Sequence, residues 1–99
     1  MYLTQHISQI KKLCEQHKVD KLYAFGSVLT DRFSGDSDVD FLYTFKSDIP
    51  LLEYADNYFD FKFSLEDILN RPVDLVAEKK LTNPYFIKEI EETKQLIYG

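Results

Sequence analysis

The sequence predicts a small α/β protein of the two-layer type, with helices packed on a mixed sheet of three to four strands. Two observations predict it. Segments with helical spacing of apolar residues alternate with short apolar runs, in the order α-β-α-β-α-β-α. No repeat, low-complexity tract or linker interrupts the 99 residues, so we expect residues 1–99 to form one domain. The pattern does not determine the strand order.

The helices are expected at residues 4–17, 27–30, 51–69 and 83–97. Thr4 is a candidate N-cap for the first, and Asn83-Pro84 is a typical helix start for the last. Ser64 is a candidate restart within the long third helix. The last helix is expected to turn four apolar residues inward: Phe86, Ile87, Ile90 and Ile97.

The strands are expected at residues 21–25, 38–45 and 73–77. The second strand is the clearest, because its residues alternate between two faces. One face carries Val39, Phe41, Tyr43 and Phe45, and the other carries Asp38, Asp40, Leu42 and Thr44.

Composition excludes several classes of function. The net charge of −5 argues against a nucleic-acid-binding surface, which needs a basic stripe to meet phosphates. The single cysteine, Cys14, cannot form an intramolecular disulfide, and its place on an apolar helix stripe predicts a buried side chain. No signal peptide or membrane-length apolar run is visible, so we expect a cytoplasmic protein with no membrane contact.

Asp38 and Asp40 are the central candidates for chemistry. Residues two apart on a strand point the same way, and two carboxylates on one face repel each other unless a cation lies between them. Mg²⁺ is typically held by one or two carboxylates plus substrate phosphates. Alone, the Asp-x-Asp pattern is a weak sign of a metal site.

Asp74 and the Gly26-Ser27 pair add to the pattern. Asp74 lies within the apolar run Val73-Asp74-Leu75-Val76, and beside the Asp38 strand it would supply a third carboxylate of the kind used in two-metal phosphoryl transfer. The alternative is that it only caps a strand end. Gly26-Ser27 ends a strand and opens a helical turn, where backbone N–H groups can meet a phosphate, although a plain turn with an N-cap is the commoner reading.

Together these residues resemble the DNA polymerase β-like nucleotidyltransferases, and within them the minimal nucleotidyltransferase (MNT) domains. The resemblance rests on Gly26-Ser27, ten residues, Asp38-Val39-Asp40 and a later strand carrying Asp74. It covers nearly the whole chain and implies a nucleotidyltransferase-like fold.

The resemblance also implies roles for the candidate residues. Asp38, Asp40 and Asp74 would be the catalytic residues and the ligands of Mg²⁺, and Asp74 would favour deprotonation of the attacking hydroxyl. Gly26 and Ser27 would cradle the phosphates of ATP. Arg32 would contact a phosphate, or would instead be a surface arginine paired with Asp31 or Asp36.

Larger relatives hold the acceptor in a second domain, for which we expect no room in these 99 residues, so the resemblance implies a protein partner. Minimal members act as antitoxins beside a HEPN toxin, by moving AMP to a toxin tyrosine or by direct binding. Two alternatives therefore stand beside the enzyme-antitoxin hypothesis: a non-catalytic antitoxin that occludes its partner, and an aminoglycoside-type transferase acting on a small molecule. The dense aromatic run at 54–63 leaves partner contact or a homo-oligomer open.

Overall fold

A four-stranded mixed sheet forms the centre of the computed structural model, which describes residues 2–99. The strands lie in the order β3-β2-β1-β4. Strand β1 is antiparallel to both of its neighbours, whereas β2 and β3 are parallel. Their bounds are β1, Val19–Phe25; β2, Val39–Phe45; β3, Val73–Ala77; and β4, Gln95–Tyr98.

Three α-helices flank the sheet: α1, Ile7–Gln16; α2, Leu51–Leu69; and α3, Pro84–Thr93. Short 3₁₀ turns occupy Tyr2–His6, Gly26–Leu29 and Glu78–Lys80. Helix α2 is the crossover between the parallel strands β2 and β3, a connection that parallel pairing requires. The α/β class, the small mixed sheet and the alternation of elements are confirmed.

The two faces of the sheet are covered unequally. Helices α1 and α2 cover one face with the main core, which includes Ile10, Val39, Phe41, Phe61 and Leu65. Helix α3 covers part of the other face through a small cluster of Phe25, Leu42 and Ile90. The alternation in β2 therefore divides as predicted, and the thinly covered face keeps room for a cleft.

The end of the chain differs from the prediction. Helix α3 stops at Thr93, and Gln95–Tyr98 form the edge strand β4 instead of continuing the helix to residue 97. Lys94 adopts extended backbone angles (φ −59°, ψ 148°), and the free edge of β1 supplies hydrogen-bonding partners that a helix would leave unused. Ile97 is buried in the main core as predicted, but it lies on a strand and not on the predicted helix.

Two predicted helix caps are wrong, and one is confirmed. Residues Tyr2–His6 form a 3₁₀ turn that runs into α1, so Thr4 is not an N-cap. Helix α2 passes through Ser64 without a restart. Asn83 does cap α3, since its side-chain oxygen accepts hydrogen bonds from the N–H groups of Tyr85 and Phe86 at 2.9 and 3.2 Å.

Cys14 is fully buried, as its helix position predicted. Burial raises the pKa of its thiol to about 12, which keeps it protonated and unreactive. Among the described residues, no helix has the length and apolar character needed to cross a membrane.

Candidate active site

Asp40 and Asp74 are direct neighbours on the sheet. They are partners in the register of the parallel strands β2 and β3, which places their carboxylates side by side. Both point away from the main core, because the residues that precede them, Val39 and Val73, point into it and successive side chains on a strand alternate between faces. The predicted approach of the Asp74 strand to the Asp-x-Asp strand is therefore what the structure shows.

Asp38 is placed differently. It precedes β2, is exposed, and does not line the cleft that Asp40 and Asp74 share. Within residues 2–99 no three His, Cys, Asp or Glu side chains lie close enough to form a ready-made metal cage. The structure thus pairs Asp40 with Asp74 on neighbouring strands and leaves Asp38 exposed just before β2, at the rim of the site, where its charge still acts on the Asp40 carboxyl.

The pKa of the Asp40 carboxyl is raised by its surroundings. Burial raises the pKa of its carboxyl above the ordinary value, and the negative charges of Asp74 and then Asp38 raise that pKa further. A cation beside the three carboxylates would relieve the repulsion. Two oxygen ligands with phosphate oxygens completing the shell are what Mg²⁺ commonly takes, so Asp40 and Asp74 fit that ion.

Gly26 ends β1 with a positive φ of 79° and opens the turn Gly26–Leu29. A Cβ at this position would collide with the carboxylate of Asp40. Only glycine therefore allows the turn to lie directly against that carboxylate. The first N–H groups of a helical turn lack partners within it, so the turn with Ser27 offers donors beside the acidic pair.

A cleft of about 910 Å³ lies between this turn, the two aspartates and α3. That volume is within the range of sites that bind molecules of nucleotide size. Its polar half carries Ser27, Arg32, Asp40 and Asp74, and its apolar half carries Phe25, Val76, Phe86 and Ile90. Such a cleft can hold a ligand with one strongly anionic end and one flat apolar end.

Arg32 lies where the phosphate-binding hypothesis needs it. It lines the same cleft as Asp40 and Asp74, and its backbone N–H donates to the Thr30 hydroxyl at 3.2 Å. In the part of the chain from residue 2 onward it makes no ion pair with Asp31 or Asp36. The alternative of a surface ion pair is therefore not what the structure contains.

Two further residues at the site were missed by sequence reasoning. Phe86, which the helical pattern placed inward, is 42% exposed and forms the cleft wall with Glu89, Ile90 and Thr93. Their spacing along one face of α3 was a usable signal. Arg71 contacts the loop before β2. No local sequence pattern predicts this contact, because its partners lie more than 30 residues away in the chain.

The comparison with protein families decides the identity of this arrangement. Residues 8–99 match the family model described as polymerase beta, nucleotidyltransferase. The chain belongs to the polymerase β nucleotidyltransferase family. It is accordingly a nucleotidyltransferase, with the paired aspartates and the Gly-Ser turn facing one cleft.

Curated relatives of this nucleotidyltransferase come from Methanocaldococcus jannaschii. Two proteins with the provisional name protein adenylyltransferase, MJ0126 and MJ1217, are each 37% identical over 90 residues. Each alignment covers 89% of this chain and 84% of the relative.

Solved structures share the fold. A minimal nucleotidyltransferase superposes with a TM-score of 0.75 at 28% identity, over 94% of this chain and 90% of the other. A toxin–antitoxin complex with AMP-PNP gives 0.71 at 19% identity, over 94% and 73%. A tri-AMPylated HEPN toxin of Shewanella oneidensis in complex with its MNT antitoxin gives 0.66 at 18% identity, over 100% and 73%.

Proposed function

We propose that this nucleotidyltransferase moves AMP from ATP to a tyrosine hydroxyl of a partner HEPN toxin, with Mg²⁺ as cofactor, and thereby acts as an antitoxin. One observation carries the proposal. Asp40 and Asp74 are register partners whose carboxylates face a cleft of nucleotide size, and Gly26 lies against the first of them.

The chemistry divides between the cation and the chain. Bound Mg²⁺ would neutralise the charge that develops on the phosphates during transfer. Asp40 and Asp74 would hold it, with Asp38 adding negative charge from the rim. Burial, and then the charges of Asp74 and Asp38, raise the pKa of Asp40, and this crowded acidic site supports such a role.

The remaining residues would bind and orient the reactants. Gly26 and Ser27 present N–H and hydroxyl donors to the terminal phosphates, and Arg32 reaches them from the loop side. The tyrosine oxygen attacks the α-phosphorus, the bond to the bridging oxygen breaks, and pyrophosphate leaves. Asp74, exposed at the cleft, would favour loss of the hydroxyl proton.

The partner is proposed from two similarities of different strength. The curated relatives carry the name protein adenylyltransferase, which supports a protein acceptor. Neighbours in fold include a toxin–antitoxin complex with AMP-PNP and an AMPylated HEPN toxin beside an MNT antitoxin. We propose the same ligand and partner class for this chain.

Nucleotide binding is the first test. Calorimetric titration with ATP should show binding in Mg²⁺ and little binding in EDTA, and the Asp38→Asn/Asp40→Asn variant should lose the signal. Asp36→Asn is the matched control, because it removes a nearby loop charge outside the cleft. Equal binding by the double variant would contradict the proposed site.

The non-catalytic alternative is separated by a second test. The wild type and the Asp38→Asn/Asp40→Asn variant are each co-expressed with the HEPN protein, and toxicity and AMP incorporation are measured together. We expect rescue and label only with the wild type. Full rescue by the variant without any label would establish that the chain neutralises its partner by occlusion.

A further inference from the structure

The guanidinium of Arg71 is held between two parts of the chain that meet beside the active site. Its Nη1 donates to the backbone carbonyls of Ser34 and Ser37, at 2.8 and 3.0 Å. The same group lies over two neighbouring aromatic rings, 4.7 Å from the centre of Tyr2 and 4.4 Å from the centre of Phe33, whose centres are 5.4 Å apart. Both stacking and charged hydrogen bonds therefore act on one side chain.

Arg71 contacts the loop that contributes Arg32 to the cleft. Residues 30–38 connect the Gly26–Leu29 turn to β2 and carry Arg32 and Asp38. Within the loop, the Ser37 N–H donates to the Ser34 carbonyl at 3.1 Å, and the Ser34 N–H donates to the Ser37 hydroxyl at 3.0 Å. This closed turn presents to Arg71 the two carbonyls that accept its hydrogen bonds.

Arg71 itself lies in the short segment between α2 and β3. It precedes Asp74 by three residues, and the intervening Pro72 carbonyl accepts a hydrogen bond from the Val39 N–H at 3.0 Å. Tyr2 is also anchored, because its hydroxyl donates to the Leu69 carbonyl at 2.6 Å. The guanidinium therefore joins the loop to the segment that begins β3.

We infer that Arg71 is a positioning residue, which fixes Arg32 against the cleft through Phe33 and the Ser34–Ser37 turn. Phe33 is adjacent to Arg32 in the chain, so a loop released from Arg71 no longer holds the Arg32 guanidinium in the cleft that Asp40 and Asp74 line. Arg71 does not line the cleft itself. This inference rests on the proposed binding of ATP, and it gives Arg71 a positioning role outside the cleft.

The decisive substitution is Arg71→Lys, which keeps the positive charge and removes the planar fork and the stacking. We expect the variant to fold, by circular dichroism, and to bind ATP with Mg²⁺ roughly tenfold more weakly, the scale of coupling between residues in one network. Arg32→Ala should weaken binding in the wild-type background. In the Arg71→Lys background the same change should have little further effect, because Arg32 is already displaced.

Tyr2→Phe is the matched control, since it loses the bond to Leu69 but keeps the ring beside the guanidinium. It should lower the melting temperature and leave ATP affinity unchanged. If Arg71→Lys fails to fold, Phe33→Leu releases the same loop from its other side and should show the same loss of additivity with Arg32→Ala. Additive effects, no effect of Arg32→Ala, or unchanged affinity in the loop-releasing variant would overturn the inference. Absence of ATP binding by the wild type would instead defeat the proposed function, and the inference with it.

Discussion

Gly26 shows how one residue links the backbone to the site. Its positive φ lets β1 turn sharply, and its missing Cβ leaves the space that the Asp40 carboxylate occupies. Both requirements exclude other residue types for different reasons, one conformational and one steric. Gly35, in the loop before β2, has no heavy atom within 4 Å of an added Cβ.

Gly26→Ala should therefore destabilise the protein by roughly 1–3 kcal/mol, the cost of a side chain in a left-handed conformation, and should abolish binding of ATP with Mg²⁺. Gly35→Ala is the matched control and should change neither quantity. Urea unfolding and calorimetry measure the two effects. Equal behaviour of the two variants would contradict the contact between Gly26 and Asp40.

Asp40 is expected to destabilise the metal-free protein. A carboxyl whose pKa is raised by folding binds more protons in the folded state, so stability falls as pH rises from the ordinary pKa of 3.8 through the raised value. Asp40→Asn removes this repulsion. In EDTA at pH 7 it should stabilise the protein by about 0.5 kcal/mol, the scale of a like-charge contact between neighbouring strands.

The measurement is urea unfolding of wild type and Asp40→Asn at several pH values in EDTA. The stability gain should shrink as the pH falls through the raised pKa of Asp40 toward the ordinary value of 3.8, because the carboxyl then becomes protonated. Asp36→Asn, in the exposed loop, is the control and should give no comparable gain. A variant less stable than the wild type in EDTA would show that Asp40 makes favourable contacts in the free protein.

At the scale of elements, the strand conformation of β4 depends on its pairing with β1. It has four residues, pairs only with β1, and presents Ile97 to the main core while Leu96 points outward. Ile97 is 5% exposed and Leu96 is 51% exposed. Two adjacent apolar residues on one short strand thus have different environments.

Ile97→Ala should lower the free energy of unfolding by about 2 kcal/mol, because it removes buried methyl groups from the core. Leu96→Ala should change it by less than about 0.5 kcal/mol, as for most surface substitutions. Chemical denaturation of both variants measures the difference. Similar losses for the two positions would contradict the inward orientation of Ile97.

At the scale of the whole molecule, the ligand and the fold are coupled through the cleft. Strands β1, β2 and β3, the Gly26–Leu29 turn and α3 all contribute residues to it. A ligand that binds only the folded state stabilises it by mass action. The protein should therefore unfold at a higher temperature when the cleft is filled.

ATP and Mg²⁺ together, at about one hundred times the dissociation constant, should stabilise the protein by about 2.7 kcal/mol. EDTA should remove most of this gain, because the two aspartates repel the phosphates without a cation. Thermal unfolding with ATP, Mg²⁺, both or neither measures the effect. Equal stabilisation by ATP in EDTA would contradict metal-dependent binding at Asp40 and Asp74.

Several features could be predicted from the sequence because they depend on local pattern. The alternation in β2 separated core residues from Asp40, and Asn83-Pro84 marked the start of α3. Gly26-Ser27 was recognised as the end of a strand and the start of a turn. The resemblance carried by Gly26-Ser27, Asp38-Val39-Asp40 and Asp74 indicated the polymerase β family, and the family model over residues 8–99 confirms it.

Other features required tertiary structure because their causes lie far apart in the chain. The pairing of Asp40 with Asp74 depends on which strands are neighbours, and that follows from packing α2 across the sheet. Arg71 contacts carbonyls more than 30 residues away, and the last residues form β4 because β1 offers a free edge. Alternation and turn chemistry act within a few residues and determined the elements and the candidate side chains, whereas hydrogen bonding between distant segments decided which of those side chains share the cleft.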